Sequence, residues 1–397
     1  MKNVMLFILL CLFALECEAQ WLLQNSGTEN TLKSVFFTDD QTGFITGDQG
    51  TILKTTDGGT HWMSLDAGTS SSLNSVFFIN TDTGYIAGNN GVILMTSDGG
   101  TTWESQNSGT TSNLNSIRFA GASTGYIAGM GAIICKTTNN GENWTFSNAP
   151  ATGRLWTTDT NIVYLVGNNI NIFRTNDGAT SWDLLLGNSS YGILNDVCFS
   201  GQANGISVGG SWAQGFSYSV IYYTQDSGAN WGIWLQINSG WLNGACYADP
   251  SIAFAVGSDG IIFRSADAGA QWSKQVSGTK NDLFSVHFPT PETGYIVGDS
   301  GTILKTVNGG AGLGEAVSAE NKIMLSPNPS KGIVTVLLPI TPINGVLKIM
   351  DTQGKEVIRE NVITRKHEID ISRLKNGFYF MKVETGGKII VARLMKN

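Results

Sequence analysis

One segment returns seven times along the chain, and this repetition limits the possible folds more than any other sequence feature. Clear copies occupy 42–62, 83–103 and 124–144, degraded copies occupy 175–182, 224–231 and 265–272, and a last copy without the Trp occupies 293–312. The Asp or Asn of successive copies is spaced by 41, 41, 38, 49, 41 and 41 residues. Such a period is typical of folds that stack one supersecondary unit. The Asp/Asn positions are Asp57, Asp98, Asn139, Asp177, Asp226, Asp267 and Asn308, and the Trp positions are Trp62, Trp103, Trp144, Trp182, Trp231 and Trp272.

Each period predicts four short β-strands. In the second copy these are LNSVFF, GYIAG, GVILMT and the Trp-containing TTWESQ. The Thr-x-Asp-x-Gly-x-x-Trp segment predicts a turn in which the carboxylate accepts backbone N–H groups, while the Trp packs between neighbouring sheets. Because one such sheet cannot bury both faces alone, the period predicts an all-β fold, a seven-bladed β-propeller.

The last copy has Leu313 where the Trp is expected, and Trp21 lies one period before Trp62. We therefore expect Trp21 to begin the outer strand of the last blade and to pack against the Asn308–Gly310 turn. This strand from the N-terminus would close the ring, so the propeller is predicted to span 20–313.

The first residues predict a signal peptide over 1–19. Lys2 precedes an apolar run from Val4 to Leu15, and Cys17-Glu18-Ala19 suits signal peptidase. The run is too short to span a membrane, so we predict an exported protein without a transmembrane segment. The cysteines of the mature chain, at 135, 198 and 246, lie in apolar strand patterns and are predicted to be buried thiols.

Charge differs between the two parts of the chain. Residues 20–317 have a net charge of −12 and residues 318–397 a net charge of +6. An acidic ring without a basic stripe excludes nucleic acid as an expected partner.

The repeats resemble the Asp-box, or bacterial neuraminidase repeat, propellers. Within that group they are most similar to the seven-bladed propellers of photosystem II stability and assembly factors, over residues 20–313. The resemblance implies the fold. It does not imply one activity, because Asp-box propellers include sialidases, xyloglucanases, sortilin-type receptors and proteins without catalysis.

After a predicted linker at 314–323, alternating apolar runs predict a small β-sandwich over 324–397. This part resembles the C-terminal sorting domain of type IX secretion, known from Bacteroidota. The resemblance implies the type IX machinery as partner, and passage through the periplasm to the outer-membrane surface or the extracellular space. The matching sorting residues are Pro327, Asn328, Pro329, Gly332, Gly354, Lys355, Leu374, Gly377 and Tyr379.

The sequence predicts no catalytic residue, metal or cofactor. Zinc, phosphate-loop and nucleophile-elbow motifs do not occur. The repeated Asp residues belong to separate blades, whereas a glycosidase needs two carboxyls within about 5–10 Å. A sialidase needs three converging Arg, and we expect Arg174 and Arg264, like Lys54 and Lys305 at the same repeat position, to lie on a solvated face.

Two irregularities give candidate binding residues. One position of the innermost strand varies between blades, and its members Arg118, Trp156 and His287 either converge in the central channel or serve ordinary packing between blades. The 49-residue interval contains an insertion, which either folds onto its own blade or exposes an aromatic patch for a sugar or peptide. The predicted patch consists of Trp212, Phe216, Tyr218 and Trp241.

The sequence thus predicts a non-catalytic binding or scaffold module for a glycan or protein ligand on the loop face of the propeller. Two alternatives stay open. The first is a carbohydrate-active hydrolase of sialidase or xyloglucanase type, and the second is a chaperone for a membrane complex that resembles the photosystem assembly factors.

Overall fold

The computed structural model describes residues 21–187, 192–213, 216–237, 240–310, 324–326, 330–338, 342, 345–351, 355–385 and 388–396. The chain divides into two compact units, Met1–Gly310 and Ala311–Asn397. The predicted signal peptide and linker lie outside the described residues. Within the described ranges, no helix is long and apolar enough to cross a bilayer.

The described part of the first unit forms seven antiparallel sheets of four strands, which we number as blades. The first described strand, β1 (Leu22–Gln24), belongs to the last blade. Blade 1 contains β2 (Leu32–Phe37), β3 (Gly43–Gly47), β4 (Ile52–Thr55) and β5 (Met63–Leu65). Blade 2 contains β6 (Leu73–Phe78), β7 (Gly84–Gly88), β8 (Ile93–Thr96) and β9 (Glu104–Gln106). Blade 3 contains β10 (Leu114–Ala120), β11 (Thr124–Gly129), β12 (Ile133–Thr137) and β13 (Thr145–Asn148).

The remaining blades follow the same order, from the innermost to the outermost strand. Blade 4 contains β14 (Gly153–Thr157), β15 (Val163–Gly167), β16 (Asn171–Thr175) and β17 (Asp183–Leu186). Blade 5 contains β18 (Gly192–Ser200), β19 (Asn204–Ala213), β20 (Phe216–Thr224) and β21 (Gly232–Ile237). Blade 6 contains β22 (Leu242–Tyr247), β23 (Ala253–Gly257), β24 (Ile262–Ser265) and β25 (Ser273–Gln275). Blade 7 contains β26 (Leu283–His287), β27 (Gly294–Gly298), β28 (Ile303–Thr306) and β1.

Three short 3-10 turns join the second and third strands of blades 1, 2 and 6, at Asp48–Gly50, Asn89–Gly91 and Ser258–Gly260. Gly50 has a φ of 68° and a Cβ on it would lie 1.9 Å from the Thr69 carbonyl oxygen, so this place requires glycine.

The core lies between the blades, because each sheet buries both faces against its neighbours. A recurring unit of three aromatic rings makes this contact. At the junction of blades 7 and 1, Phe37 stacks on Tyr295 at 4.0 Å and meets Trp62 edge-on at 6.0 Å. The same unit recurs as Phe44–Phe78–Trp103, Tyr85–Phe119–Trp144 and Tyr164–Phe199–Trp231. Trp182 and Trp272 also pack against buried clusters between blades. The repeated Trp therefore serves packing.

The N-terminal strand takes part in the same arrangement. β1 pairs with β28, with Leu22 opposite Lys305 and Leu23 opposite Leu304. Trp21 is 2% exposed, and its ring meets Phe254 and Phe288 edge-on at 5.8 and 6.0 Å. Trp21 thus occupies in blade 7 the place that the turn Trp occupies in other blades.

The second unit has two antiparallel sheets around one core. Its strands are β29 (Met324–Ser326), β30 (Ile333–Leu337), β31 (Gly345–Met350), β32 (Glu356–Val362), β33 (Lys366–Asp370), β34 (Gly377–Thr385) and β35 (Lys388–Lys396). The sheet orders are β29-β30-β33 and β32-β31-β34-β35. Alternate residues such as Val334, Val336, Leu347 and Ile349 are fully buried, as the period-2 pattern requires.

Several sorting residues have structural roles in this unit. The buried Tyr379 donates its hydroxyl hydrogen to the Lys375 carbonyl at 2.9 Å, and Leu374 packs against the core. Gly377 has a φ of 150°. The Gly332 N–H donates to the Ser330 hydroxyl, and the Lys355 N–H donates to the Asp351 carboxylate. The other sorting residues, Pro327, Asn328, Pro329 and Gly354, lie outside the described residues.

Candidate functional site

The repeated carboxylates hold the turns between the third and fourth strands. Asp98 Oδ1 accepts the N–H groups of Thr101 and Thr102 at 2.9 Å, and its Oδ2 accepts the Thr102 hydroxyl at 2.7 Å. Of the hydrogen bonds that together lower the Asp98 pKa to about 2, the one from the Thr102 N–H has the largest effect. The carboxylate is therefore bound within its own turn.

The equivalent residues behave alike. The N–H of residue i+4 donates to Asp57, Asn139, Asp177, Asp226 and Asp267, and Thr306 donates its hydroxyl to Asn308. Hydrogen bonds from His61 lower the Asp57 pKa to about 2, and hydrogen bonds also lower the pKa values of Asp177 and Asp226. Among the described residues, no three His, Cys, Asp or Glu side chains are grouped to hold a metal ion.

The basic residues before these turns link the blades, and the prediction of a solvated face for them is wrong. Lys305 Nζ donates to the Gly58 carbonyl at 2.6 Å, and Lys54 Nζ donates to the Gly99 carbonyl at 2.7 Å. Arg264, 9% exposed, donates through Nε to the Gly309 carbonyl at 3.1 Å. Arg174 likewise donates to the Ser227 carbonyl at 3.2 Å. Each contact joins a third strand to the turn of the next blade, which the chain order does not reveal.

The variable residues of the innermost strands pack together around the channel. Arg118 lies over the rings of Phe77 and Trp156, with Cζ 5.8 and 5.4 Å from the centroids. Its Nη1 donates to the Ile117 carbonyl at 2.8 Å. Phe36 contacts Phe77 at 5.2 Å. The predicted convergence of Arg118 and Trp156 thus appears as a cation–π contact between neighbouring blades.

His287 joins this set from blade 7. Its ring lies 4.9 Å from the Phe36 ring and 6.4 Å from the Phe37 ring. Burial, together with the positive charge of Arg118, lowers the His287 pKa from 6.5 to about 4. Burial likewise lowers the Arg118 pKa. Four rings and one guanidinium of the variable position thus form a packed layer, which we call the channel layer: Phe36, Phe77, Arg118, Trp156 and His287.

The cysteines are free thiols, as predicted. Cys135 and Cys198 are buried and Cys246 is half-buried. Burial raises the Cys135 pKa to about 11 and also raises those of Cys198 and Cys246, so the thiols stay protonated at neutral pH.

The insertion lengthens the middle hairpin of blade 5. β19 has 10 residues and β20 has 9, whereas the equivalent β7 and β8 have 5 and 4. Trp212, near the tip of this hairpin, is 54% exposed. This tip and the loops between blades lie at one end of the sheets, and the Asp turns lie at the other end.

Trp241 shares a face of the blade 5 hairpin with Trp212. A Cβ on Gly210 would lie 2.2 Å from Trp241 Cγ, so the Trp241 ring covers the side-chain face of Gly210. Gly210 and Trp212 point to the same face of β19 because side chains two residues apart in a strand do so. We call Trp212 and Trp241 the tryptophan face.

Tyr218 does not belong to this face. It is paired with Ser211, the residue between Gly210 and Trp212, so its side chain points to the opposite side of the sheet. There it packs, like Trp231, against a buried cluster that includes Tyr164. The side chain of Phe216 lies outside the described residues. A single patch that includes Tyr218 is therefore wrong, because the hairpin register separates Tyr218 from Trp212.

The sequence did not predict a cavity of about 370 Å³ at the same end of the propeller as the tryptophan face, which we call the channel mouth. Lys33, Asn115, Arg154, Asn195 and Phe284 line it. They lie at the starts of innermost strands, where residues such as Asn115 are skipped in the pairing register. The recurrence of Asn after the first Leu of these strands was the available signal.

Comparison with known proteins gives two family matches. The model described as photosynthesis system II assembly factor YCF48 matches residues 14–76, 61–219 and 235–307. The model described as secretion system C-terminal sorting domain matches residues 325–397. No curated protein sequence matches the chain significantly.

Two solved structures are similar to the propeller. YCF48 bound to D1 peptide is 22% identical with a TM-score of 0.60, over 73% of this chain and 97% of that chain. YCF48 from Cyanidioschyzon merolae is 18% identical with a TM-score of 0.55, over 72% of this chain and 98% of that chain. These likenesses show the propeller fold, and the sorting domain implies export to the cell surface or beyond.

Proposed function

Because the chain belongs to the photosynthesis system II assembly factor YCF48 family and ends in a secretion system C-terminal sorting domain, we propose that it is an exported propeller that binds a glycan or protein ligand without catalysis. The type IX machinery receives the C-terminal unit, and the propeller is the passenger that functions outside the cell. Transit through the periplasm precedes this step.

The tryptophan face carries the proposal. Trp212 exposes 54% of its surface on a hairpin that is longer than those of neighbouring blades. An indole held in solvent offers a flat apolar face for a sugar ring or an apolar peptide side chain, and its exposure costs stability unless a partner covers it. Trp241 on the same face extends this surface towards blade 6.

Binding is favoured over hydrolysis by the state of the repeated carboxylates. Asp57 and Asp98 accept several hydrogen bonds within their turns and have pKa values near 2. A general acid requires a raised pKa, so these residues suit a structural role. One similar YCF48 structure is bound to a peptide. This supports binding as a use of the fold, while the D1 peptide itself belongs to that protein.

A glycan array and a peptide array, both probed with the purified chain, test the proposal. We expect the wild-type chain to bind a ligand on one of the two arrays. The Trp212→Ala variant should bind that ligand with an affinity lower by about tenfold or more. Phe146→Ala is the matched control, because Phe146 is 58% exposed on the outer strand β13, away from the tryptophan face. Equal losses in both variants, or release of reducing sugar from the array ligand, would contradict the proposal.

A further inference from the structure

Blade 4 differs from the other blades where its innermost strand borders the channel mouth. In the six other blades the register of the innermost strand shifts after its first leucine, whereas β14 and β15 pair without a shift. Blade 4 has Gly153 where the skipped residue of other blades is Lys, Asn or Phe. This side of the mouth therefore lacks a side chain at that position.

Arg154 takes a position that links blades elsewhere in the ring. Serine hydroxyls at this position accept a backbone N–H from the innermost strand of the next blade. These bonds run from Val35 to Ser285 (3.3 Å), Val76 to Ser34 (3.2 Å), Ile117 to Ser75 (3.2 Å) and Leu155 to Ser116 (3.4 Å). A guanidinium has no acceptor, so Arg154 cannot make this link. It lines the cavity instead.

The Arg154 guanidinium keeps free hydrogen-bonding capacity. Its side chain is 24% exposed, and its described polar contact is from Nη1 to Asp196 Oδ2 at 3.9 Å. That oxygen also accepts the Ala245 N–H at 3.0 Å. Since arginine has five N–H donors, most of those on Arg154 are available for an acceptor that enters the mouth.

The Asn side chains around the mouth also differ between blade 3, which precedes blade 4, and the other blades. In three blades an Asn at the skipped position donates through Nδ2 to the next blade, from Asn74 to Leu114 O (2.9 Å), from Asn195 to Leu242 O (2.8 Å) and from Asn243 to Leu283 O (3.0 Å). Asn115, which faces blade 4, has no such bond among the described contacts. Its whole amide is available to a ligand, and Asn195 retains its amide oxygen as an acceptor.

Charge at the mouth favours an anion. Lys33 forms an ion pair with Asp48 at 2.5 Å, and Asp196 is the carboxylate whose charge acts on Arg118. Arg118, in the channel layer below, and Arg154 share this one carboxylate. One positive charge is therefore uncompensated in a propeller that is acidic overall.

We propose that the channel mouth binds a uronic acid, with its carboxylate on Arg154 and its hydroxyls on Asn115 and Asn195. Amides that donate and accept around one guanidinium match several hydroxyls around one carboxylate. The cavity of about 370 Å³ lies within the range of about 300–1,000 Å³ that is typical of small-ligand sites.

Isothermal titration of the full chain with D-glucuronate tests this site. We expect binding at least about tenfold tighter than that of D-glucose or of the glucuronate methyl ester, which lacks the charge. This comparison uses the wild-type chain, so it does not depend on the folding of a variant. Equal binding of the acid and its ester, or no binding of either, would overturn the proposal.

Arg154→Gln should weaken glucuronate binding by about tenfold or more, because it removes a charge-assisted hydrogen bond. Arg174→Gln is the matched control, since Arg174 bonds to an Asp turn at the other end of the propeller. Trp212→Ala should leave glucuronate binding unchanged. If Trp212→Ala abolishes it, the mouth is not a separate site although the tryptophan face stands. Stronger competition by a short peptide with a free carboxyl end would assign the mouth to peptides and overturn the proposal.

Discussion

The indole N–H of Trp21 donates to the side-chain oxygen of Gln275 at 3.1 Å, across 254 positions of the sequence. The amide of Gln275 donates in turn to the Gly310 carbonyl at 2.5 Å. One side chain of blade 6 therefore connects the first described residue of the propeller with the last. The start and end of the ring meet in a buried hydrogen-bonded contact, besides the pairing of β1 with β28.

Because of this buried contact, removal of the Trp21 side chain should strongly destabilise the chain. Trp21→Ala should lower the free energy of unfolding of the chain by about 3–5 kcal/mol, as truncation of a buried aromatic ring usually does. Leu23→Ala, in the same strand but 70% exposed, should change it by less than about 0.5 kcal/mol. Urea denaturation measures both. Similar values for the two variants would mean that β1 does not hold the ring closed.

The Asp turns predict a loss of stability in acid. The Asp98 pKa is about 2 in the folded chain and near 3.8 without the turn contacts. The stabilisation is therefore complete above about pH 4 and is lost as the pH falls towards 2. Asp98→Asn should lower the urea midpoint at pH 7 and approach the wild-type midpoint near pH 2. A difference that stays constant with pH would contradict the carboxylate role.

His287 predicts a second pH dependence at higher pH. Its pKa falls from 6.5 to about 4 on folding, so the unfolded chain binds the proton preferentially. Stability should be complete above about pH 6.5 and decrease by up to about 3 kcal/mol as the pH falls to 4. His287→Phe, which keeps a ring beside Phe36, should lack this slope. The same slope in the variant would show that His287 is not its source.

The sorting unit predicts a defect in location. A chain truncated after Ala319 should fold as a propeller and accumulate in the periplasm, because residues 325–397 match the sorting domain. Cell fractionation with an antibody against the propeller measures this. Normal delivery of the truncated chain to the surface would remove the sorting role from the C-terminal unit.

The sequence predicted what depends on local chemistry. The regular spacing of turn residues such as Asp57 and Asp98 predicted the four-stranded units, because a few neighbouring residues determine each turn. The place of Trp21 followed from the same spacing, and β1 pairs with β28 as that register requires.

Contacts between blades were not predictable in the same way. Lys54 and Arg264 were expected in solvent, since no sequence signal indicates that their end of the sheet meets the carbonyl of a neighbouring turn. The separation of Tyr218 from Trp212 depends on the hairpin register, in which a shift of one residue reverses every side chain. The recurrence of Asn in the innermost strands was visible in the sequence, but the place of Asn115 and Arg154 in the lining of the mouth depends on the missing register shift of blade 4, which that recurrence does not predict.

The most direct test of a binding role for the tryptophan face measures ligand affinity and melting temperature together in Trp212→Ala and Asp98→Ala. Trp212 is half-exposed and Asp98 holds a turn at the other end of the propeller. We expect Trp212→Ala to lose affinity for the array ligand with a nearly unchanged melting temperature, and Asp98→Ala to melt at a lower temperature and bind normally. Loss of binding in Asp98→Ala with normal binding in Trp212→Ala would contradict it.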